Sequence, residues 1–223
     1  MSTRIPLFPL PMVLFPGGHL PLHIFEPRYR QMLADCLAGD RVFGVLFRPE
    51  GVREREIPAG HVGCVAQVER AETLPDGRAN ILVSGAHRFV LESFEESDRP
   101  YHVGVISDYD DTEESVLALA PVADRVRELF QRVGTAARTL ADDADALPAL
   151  PEDPALLAFA IAAVIDMDVN ARQRLLTSRS PGGRLREIEL LLAPAVESLE
   201  HRAAVHVRAR GNGHGPHPLP PPG

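Results

Sequence analysis

The spacing of apolar residues changes once along this chain, near residue 113, and this change restricts the fold more than any other feature. Before it, short segments alternate apolar and polar residues, as in 62–68, and this period of two predicts half-buried strands. After it, apolar residues recur every three or four positions, as at Val122, Val126, Leu129 and Val133, which predicts helices. Strands followed by helices indicate an α+β fold.

The pattern divides the chain into three segments. We predict a β-rich part over 1–110, a helical part over 111–210 and a tail over 211–223 that is disordered by composition. A helix interrupts the β-rich part at 27–38, because Pro27 suits a first helical position and Gly39 a C-terminal cap. Gly85 is expected to separate two of the strands. The strands should form a closed or nearly closed structure, and they are predicted at 41–48, 61–69, 79–84, 88–94 and 101–108.

Four details of the helical part follow from single residues. Pro121 either begins or kinks the first long helix. The helix that starts at Pro154 is apolar nearly all round and should be buried. Asn170 with Gln173 resembles a capping box for a short third helix, and Pro194 should kink the last one.

Residues 5–25 are apolar and contain five prolines, in the sequence IPLFPLPMVLFPGGHLPLHIF. Proline lacks a backbone N–H, so it excludes a helix here and interrupts regular strand pairing. We therefore predict short strands joined by turns, with a turn at Pro16-Gly17-Gly18. Irregular segments of this kind lie on protein surfaces.

Charge and cysteine content exclude several functional classes. The net charge is −8 and all 23 basic residues are arginine, so the surface should repel phosphate backbones unless the arginines cluster. Cys36 and Cys64 are too few for a thiolate zinc site and should be buried free thiols. No apolar stretch is long enough to span a membrane, and we expect a cytoplasmic protein without cofactor or metal.

The opening block PLFPLPMVLFPGGHLPLHIFEPRYRQML, residues 6–33, resembles the N-terminal signature of the Lon protease substrate-binding domain. The resemblance extends over about 5–200. It implies a β pseudo-barrel similar to PUA domains, followed by a helical bundle, which agrees with the α+β prediction. Shorter matches in register occur at 43–45, 63–66, 76–78, 81–83, 85–89, 172–176 and 184–185.

Lon proteases add an ATPase module and a serine–lysine protease module to this domain. A Walker A loop needs a lysine against the phosphates, and a serine–lysine dyad needs a lysine base; these 223 residues contain no lysine. We therefore expect a stand-alone member of the family that is not an enzyme. The resemblance implies binding of unfolded or apolar polypeptide, with delivery to a protease or chaperone.

The candidate polypeptide-binding residues are apolar side chains near the proline-rich loops, and for each of them the alternative is a place in the barrel core. Glu26 is expected to place negative charge at the start of the helix at 27–38, and Arg28 is expected to pair with Glu26 or with another carboxylate. RNA binding is the alternative function, since PUA-like barrels often bind RNA. Its basis here would be an arginine cluster over 172–186, although such clusters are usually solvated helix faces. The candidate binding residues are Met12, Leu14, Phe15, Leu20, Phe25 and Tyr29.

Overall fold

The computed structural model describes residues 2–212 and contains a six-stranded sheet that closes on itself. Its order is β2-β5-β4-β3-β1-β6, and β6 pairs again with β5 to complete the barrel. The contact between β1 and β3 is parallel and the other pairings are antiparallel. The strands are β1 (Thr3–Leu10), β2 (His19–Ile24), β3 (Val42–Phe47), β4 (Val62–Thr73), β5 (Ala79–Glu95) and β6 (His102–Asp108).

Helix α1 (Pro27–Ala38) lies between β2 and β3, where the sequence predicts it. It buries Tyr29, Met32, Leu33 and Cys36, which recur at helical spacing on one face. The predicted α+β class and the closed β structure are therefore confirmed.

The prediction that Gly85 separates two strands is wrong, because β5 is one strand of 17 residues. The N–H of Gly85 donates to the carbonyl of Gly18, and the carbonyl of Gly85 accepts from the N–H of Gly17, both at 2.8 Å. A Cβ atom at position 85 would lie 2.1 Å from the carbonyl oxygen of Phe15. The glycine therefore allows the loop that connects β1 to β2 to approach the strand closely.

The helical part comprises α2 (Val116–Ala141), α3 (Pro154–Val164), α4 (Val169–Thr177) and α5 (Pro181–Asn212). Pro121 lies within α2, and Pro194 lies within α5. Helices α2 and α5 run side by side in the same direction, as the ion pairs Arg125–Glu189 and Arg132–Glu200 show. The tail predicted at 211–223 lies outside the described residues, apart from the last two residues of α5.

The capping box predicted for α4 is also wrong. Asp168 caps this helix, since its carboxylate accepts from the backbone N–H groups of Asn170 and Ala171. The Gln173 amide instead donates to the carbonyl of Val62 at 2.9 Å and so connects α4 to the barrel.

The barrel and the helices share one apolar core. Val13, Phe15, Phe47 and Val62 from the β-rich part belong to the same buried cluster as residues of α2, α3, α4 and α5. The ring of Phe15 stacks on that of Phe159, with 5.6 Å between centroids. Because of this shared core, the division into two units stays a prediction.

A buried charge network joins the two parts, and we call Arg88, Asp111 and Arg184 the junction. Arg184 is fully buried and Arg88 nearly so. Asp111 accepts two hydrogen bonds from Arg184 and one from Arg88, at 2.5 to 2.7 Å. The two guanidinium groups also donate to backbone carbonyls of Ala155, Leu176 and Ser178.

Candidate functional site

The loop from residue 11 to 18 connects β1 to β2 and carries three of the six predicted binding residues, Met12, Leu14 and Phe15. Pro11 and Pro16 interrupt strand pairing, and the loop is fixed at its end by the Gly17–Gly85 hydrogen bond. Met12 is 37% exposed, whereas the next four residues are buried. The loop thus presents one large apolar side chain at its surface.

Three of the six candidate residues lie in the core and are not available to a partner in this structure. Leu14 belongs to the barrel cluster and Phe15 to the core shared with the helices. Tyr29 lies on the buried face of α1, 4.1 Å from the Phe8 ring. Burial of these side chains stabilises the barrel and its contact with the helices.

The other three candidates lie at or near the surface. Phe25 follows β2 directly and is 59% exposed, with its ring 6.1 Å from the imidazole of His23. Leu20 is half-buried. The candidate surface is therefore reduced to Met12, Leu20 and Phe25, which we call the N-terminal surface.

Strand β2 supplies backbone groups to this surface. Among the described residues it pairs with β5 alone, so its other edge has no strand partner there. An edge strand offers N–H and C=O groups to an extended polypeptide. Pro21 lies in the middle of β2 and removes one donor, a common feature of edge strands.

A polar cluster lies beside this surface, at the start of α1. Arg28 donates to both carboxylate oxygens of Glu54, at 2.6 and 2.8 Å, and to Glu26 at 2.9 Å, which confirms the predicted pair. The Tyr29 hydroxyl donates to Glu54 at 3.1 Å, and the His102 Nε2 lies 2.9 Å from that carboxylate. Sequence reasoning missed Glu54 and His102, because both are far from α1 along the chain.

Hydrogen bonds and burial shift the pKa values of three groups in this cluster. The hydrogen bonds with Glu54 raise the pKa of Arg28 above its ordinary value. Burial alone would raise the pKa of Glu54, but the bonds from Arg28 outweigh it and hold that pKa below the usual 4.5. Burial raises the pKa of the Tyr29 hydroxyl. The ion pair of Arg28 with Glu54 and the hydrogen bond from the Tyr29 phenol therefore connect α1 to the segment between β3 and β4.

The thiols and imidazoles of the described residues show no arrangement for nucleophilic or metal chemistry. Cys36 and Cys64 are free and buried, as predicted, and burial raises their pKa values to about 11 and about 12. Such thiols stay protonated and unreactive. Over 2–212 no group of three His, Cys, Asp or Glu side chains could hold a metal ion.

The arginines at 172–186 do not form one basic face. Arg184 is buried at the junction, so the solvated-face interpretation is wrong for it. Arg172 donates to the carbonyl of Ile165, and Arg179 donates to that of Asp110. Three of the five arginines thus make contacts within the chain, whereas Arg174, Arg179 and Arg186 have exposed positions.

Comparison with known proteins agrees with this fold. The family model described as the ATP-dependent protease La (LON) substrate-binding domain matches residues 4–193. Lon protease 2 of Herpetosiphon aurantiacus is 29% identical over 202 residues, which cover 89% of this chain and 25% of that protein. The Lon protease of Anaeromyxobacter dehalogenans is 30% identical over 202 residues, 84% of this chain and 23% of that protein. The chain spans about a quarter of the length of these relatives.

Two solved structures have the same fold. A Lon N-terminal domain protein from Xanthomonas campestris aligns with a TM-score of 0.58 and 25% identity, over 83% of this chain and 96% of that one. The N-terminal domain of a Mycobacterium avium complex Lon protease aligns with a TM-score of 0.60 over the same shares, and its 15% identity supports the fold alone. No helix among residues 2–212 has the length and apolar character that crossing a membrane requires. Since the family model covers most of the sequence, the chain belongs to the LON substrate-binding domain family.

Proposed function

We propose that this domain binds unfolded or apolar polypeptide segments at the N-terminal surface. The exposure of Met12 and Phe25 is the observation that carries the proposal. They precede and follow β2, in a segment whose other large apolar side chains are buried or half-buried. Met12 follows β1 and Phe25 follows β2, and exposed apolar side chains that flank an edge strand in the sequence suit an extended apolar segment, which is the form an unfolded chain offers.

The mode of binding follows from β2 and its proline. Backbone pairing along the free edge of β2 would be interrupted at Pro21, because this residue has no N–H to donate. Side-chain contacts at Met12 and Phe25 then supply most of the affinity. Binding should be modest, since an unfolded client loses conformational entropy when it becomes ordered.

Delivery to a protease or chaperone is the second part of the proposal. It is supported by the relatives that are named Lon protease and by the description of the matched family as a substrate-binding domain. We expect no ATP hydrolysis and no peptide cleavage by these 223 residues, because they contain no lysine for either reaction. The cytoplasmic location expected from the sequence stays a prediction.

RNA binding receives less support from the charges. The net charge is −8, and three of the five arginines at 172–186 donate to carbonyls or to Asp111 within the chain. A phosphate backbone would therefore meet few free cations on this face.

The test compares ligands and variants by fluorescence anisotropy. The ligands are a labelled, permanently unfolded protein, the same protein in its native form, and a single-stranded RNA, each at two salt concentrations. We expect the unfolded protein alone to bind, with little dependence on salt. Met12→Asp or Phe25→Asp should each weaken binding by about 5- to 30-fold, which corresponds to ~1–2 kcal/mol of lost apolar burial.

Leu117→Asp is the matched control, since Leu117 is 86% exposed and lies in the first turn of α2. This control should bind like the unchanged protein. Normal affinity of both N-terminal variants, with unchanged circular dichroism, would contradict this choice of surface. Salt-sensitive RNA binding that exceeds binding of the unfolded protein would favour the alternative function.

A further inference from the structure

The segment of residues 142–153, which we call the return segment, runs back along α2 after that helix ends. Asp142 has a φ of 54° and reverses the chain direction. Arg138, in the last turn of α2, then donates to the carbonyl of Asp145. Eleven residues earlier on α2, Arg127 donates to the carbonyls of Pro151 and Glu152, at 2.7 and 2.8 Å. Two arginines of one helix thus hold the backbone of an antiparallel, irregular segment at both ends.

Between these two arginines, the side chain of Leu147 rests against Gly134. A Cβ atom at position 134 would lie 2.5 Å from Leu147 Cδ2, so the leucine fills the space that the glycine leaves. Cavities of about 670 and 530 Å³ lie beside this contact. Both are lined by Phe130, Arg138, Leu147 and Pro148.

The larger cavity is bordered by Gln131 and Thr135, and the other one by apolar residues of α3 and α5 such as Val164 and Leu191. The Leu147-Pro148 pair lines both cavities. We treat the two cavities and the surface beneath the pair as one groove along α2. We call this the α2 groove.

The contact has the chemistry of peptide recognition. Side-chain donors bind backbone carbonyls of a segment without helix or strand structure, and one aliphatic side chain enters a small-residue notch. Most residues of the return segment are exposed, and its apolar anchors are Leu147 in the Gly134 notch and Leu150, which packs against the core cluster shared by the barrel and the helices. Its flanks are acidic, with Asp143 and Asp145 on one side of Leu147 and Glu152 on the other, and they face a helix that supplies arginines.

We propose that the α2 groove is a second peptide-binding site, and that the return segment is its exchangeable internal occupant. The external occupant is an extended polypeptide of the same chemistry: a large aliphatic residue in the Gly134 notch, backbone carbonyls on Arg127 and Arg138, and acidic flanks. The site shares no residue with the N-terminal surface. Failure of one proposal therefore leaves the other intact.

The test uses a labelled synthetic peptide with the sequence of residues 142–153, DDADALPALPED. In the unchanged protein the tethered segment competes with it. Leu147→Asp removes the internal anchor, so this variant should bind the peptide about tenfold or more tightly than the unchanged protein. A peptide with Asp at the position of Leu147 should not bind.

Gly134→Leu in the Leu147→Asp background is the matched control, since a side chain in the notch should abolish peptide binding. Leu147→Ala shortens the anchor without adding charge, and it gives the same comparison if the aspartate variant does not fold. Equal peptide affinity of folded Leu147 variants and the unchanged protein would overturn the proposal. A dimer of the unchanged protein that exchanges return segments would also overturn it, because the occupant would then be a second copy of this chain.

Discussion

Replacing Asp111 with asparagine should destabilise the contact between the barrel and the helices. The side chain of Asp111 is 25% exposed, whereas those of Arg88 and Arg184 are 4% and 0% exposed. Without the carboxylate, two buried guanidinium groups keep their charges and retain carbonyl oxygens as partners. The change leaves the packing volume nearly constant, so its effect reports the charge.

The magnitude follows from the cost of leaving a buried charge without its counterion. Breaking a buried ion pair by removing one partner costs ~3–5 kcal/mol. Water reaches part of Asp111, which places the expected loss near the lower end, at about 3 kcal/mol. Against a typical stability of ~5–15 kcal/mol, this loss is large. Arg184→Met should cost less, because it removes one of two like charges and leaves Asp111 paired with Arg88.

Urea unfolding followed by circular dichroism at pH 7 measures the loss. The matched control is Arg132→Gln, which breaks the surface pair with Glu200, where both side chains are more than 40% exposed. A surface pair contributes little, so this control should shift the unfolding midpoint far less. A loss for Asp111→Asn no larger than that of the control would refute the reasoning. A second, separate transition in the Asp111 variant would show that the junction couples the two parts.

Two further predictions concern the barrel. Gly85→Ala should destabilise the protein by about 1–3 kcal/mol in urea unfolding, because the added Cβ meets the Phe15 carbonyl; an unchanged midpoint would contradict this close approach. Glu54→Gln should destabilise the protein at neutral pH, and the difference in unfolding free energy should shrink as the pH falls below 4.5. Folding lowers the pKa of Glu54, so the ionised carboxylate stabilises the folded protein above the unfolded pKa, and this stabilisation is lost as the carboxylate protonates. A difference that stays constant down to pH 3 would count against it.

Local patterns predicted the elements that depend on local interactions. The helix at 27–38 and the change to helical structure after the barrel follow from apolar spacing and from Pro27. The continuity of β5 through Gly85 could not be predicted in this way. The glycine is needed because a loop some 70 residues earlier in the chain approaches it, and a single sequence shows no such contact.

The burial of the candidate site residues could likewise be predicted only where it depends on local spacing. Prolines break the alternation in the first 25 residues, so the sequence could not tell exposed Met12 from buried Phe15. Tyr29 could have been assigned to the core, since Met32, Leu33 and Cys36 share its helix face. Arg184 looked solvated because its partner Asp111 lies 73 residues away in the chain. A charged side chain is expected to be exposed unless it has a partner of opposite charge, and the sequence does not show that Asp111 is such a partner for Arg184.

The arginines of this lysine-free chain have a structural role that also bears on the candidate site. The guanidinium of Arg184 reaches both oxygens of Asp111 and the carbonyls of Ser178 and Ala155, which the single nitrogen of a lysine could not do at once. The same guanidinium lies 4.2 Å from the centroid of the Phe159 ring, whose neighbour is Phe15 in the loop that presents Met12. The position of Met12 thus depends on packing that begins at the junction. A variant that destabilises the junction, such as Asp111→Asn, should therefore weaken polypeptide binding at the N-terminal surface, although it changes no residue of that surface.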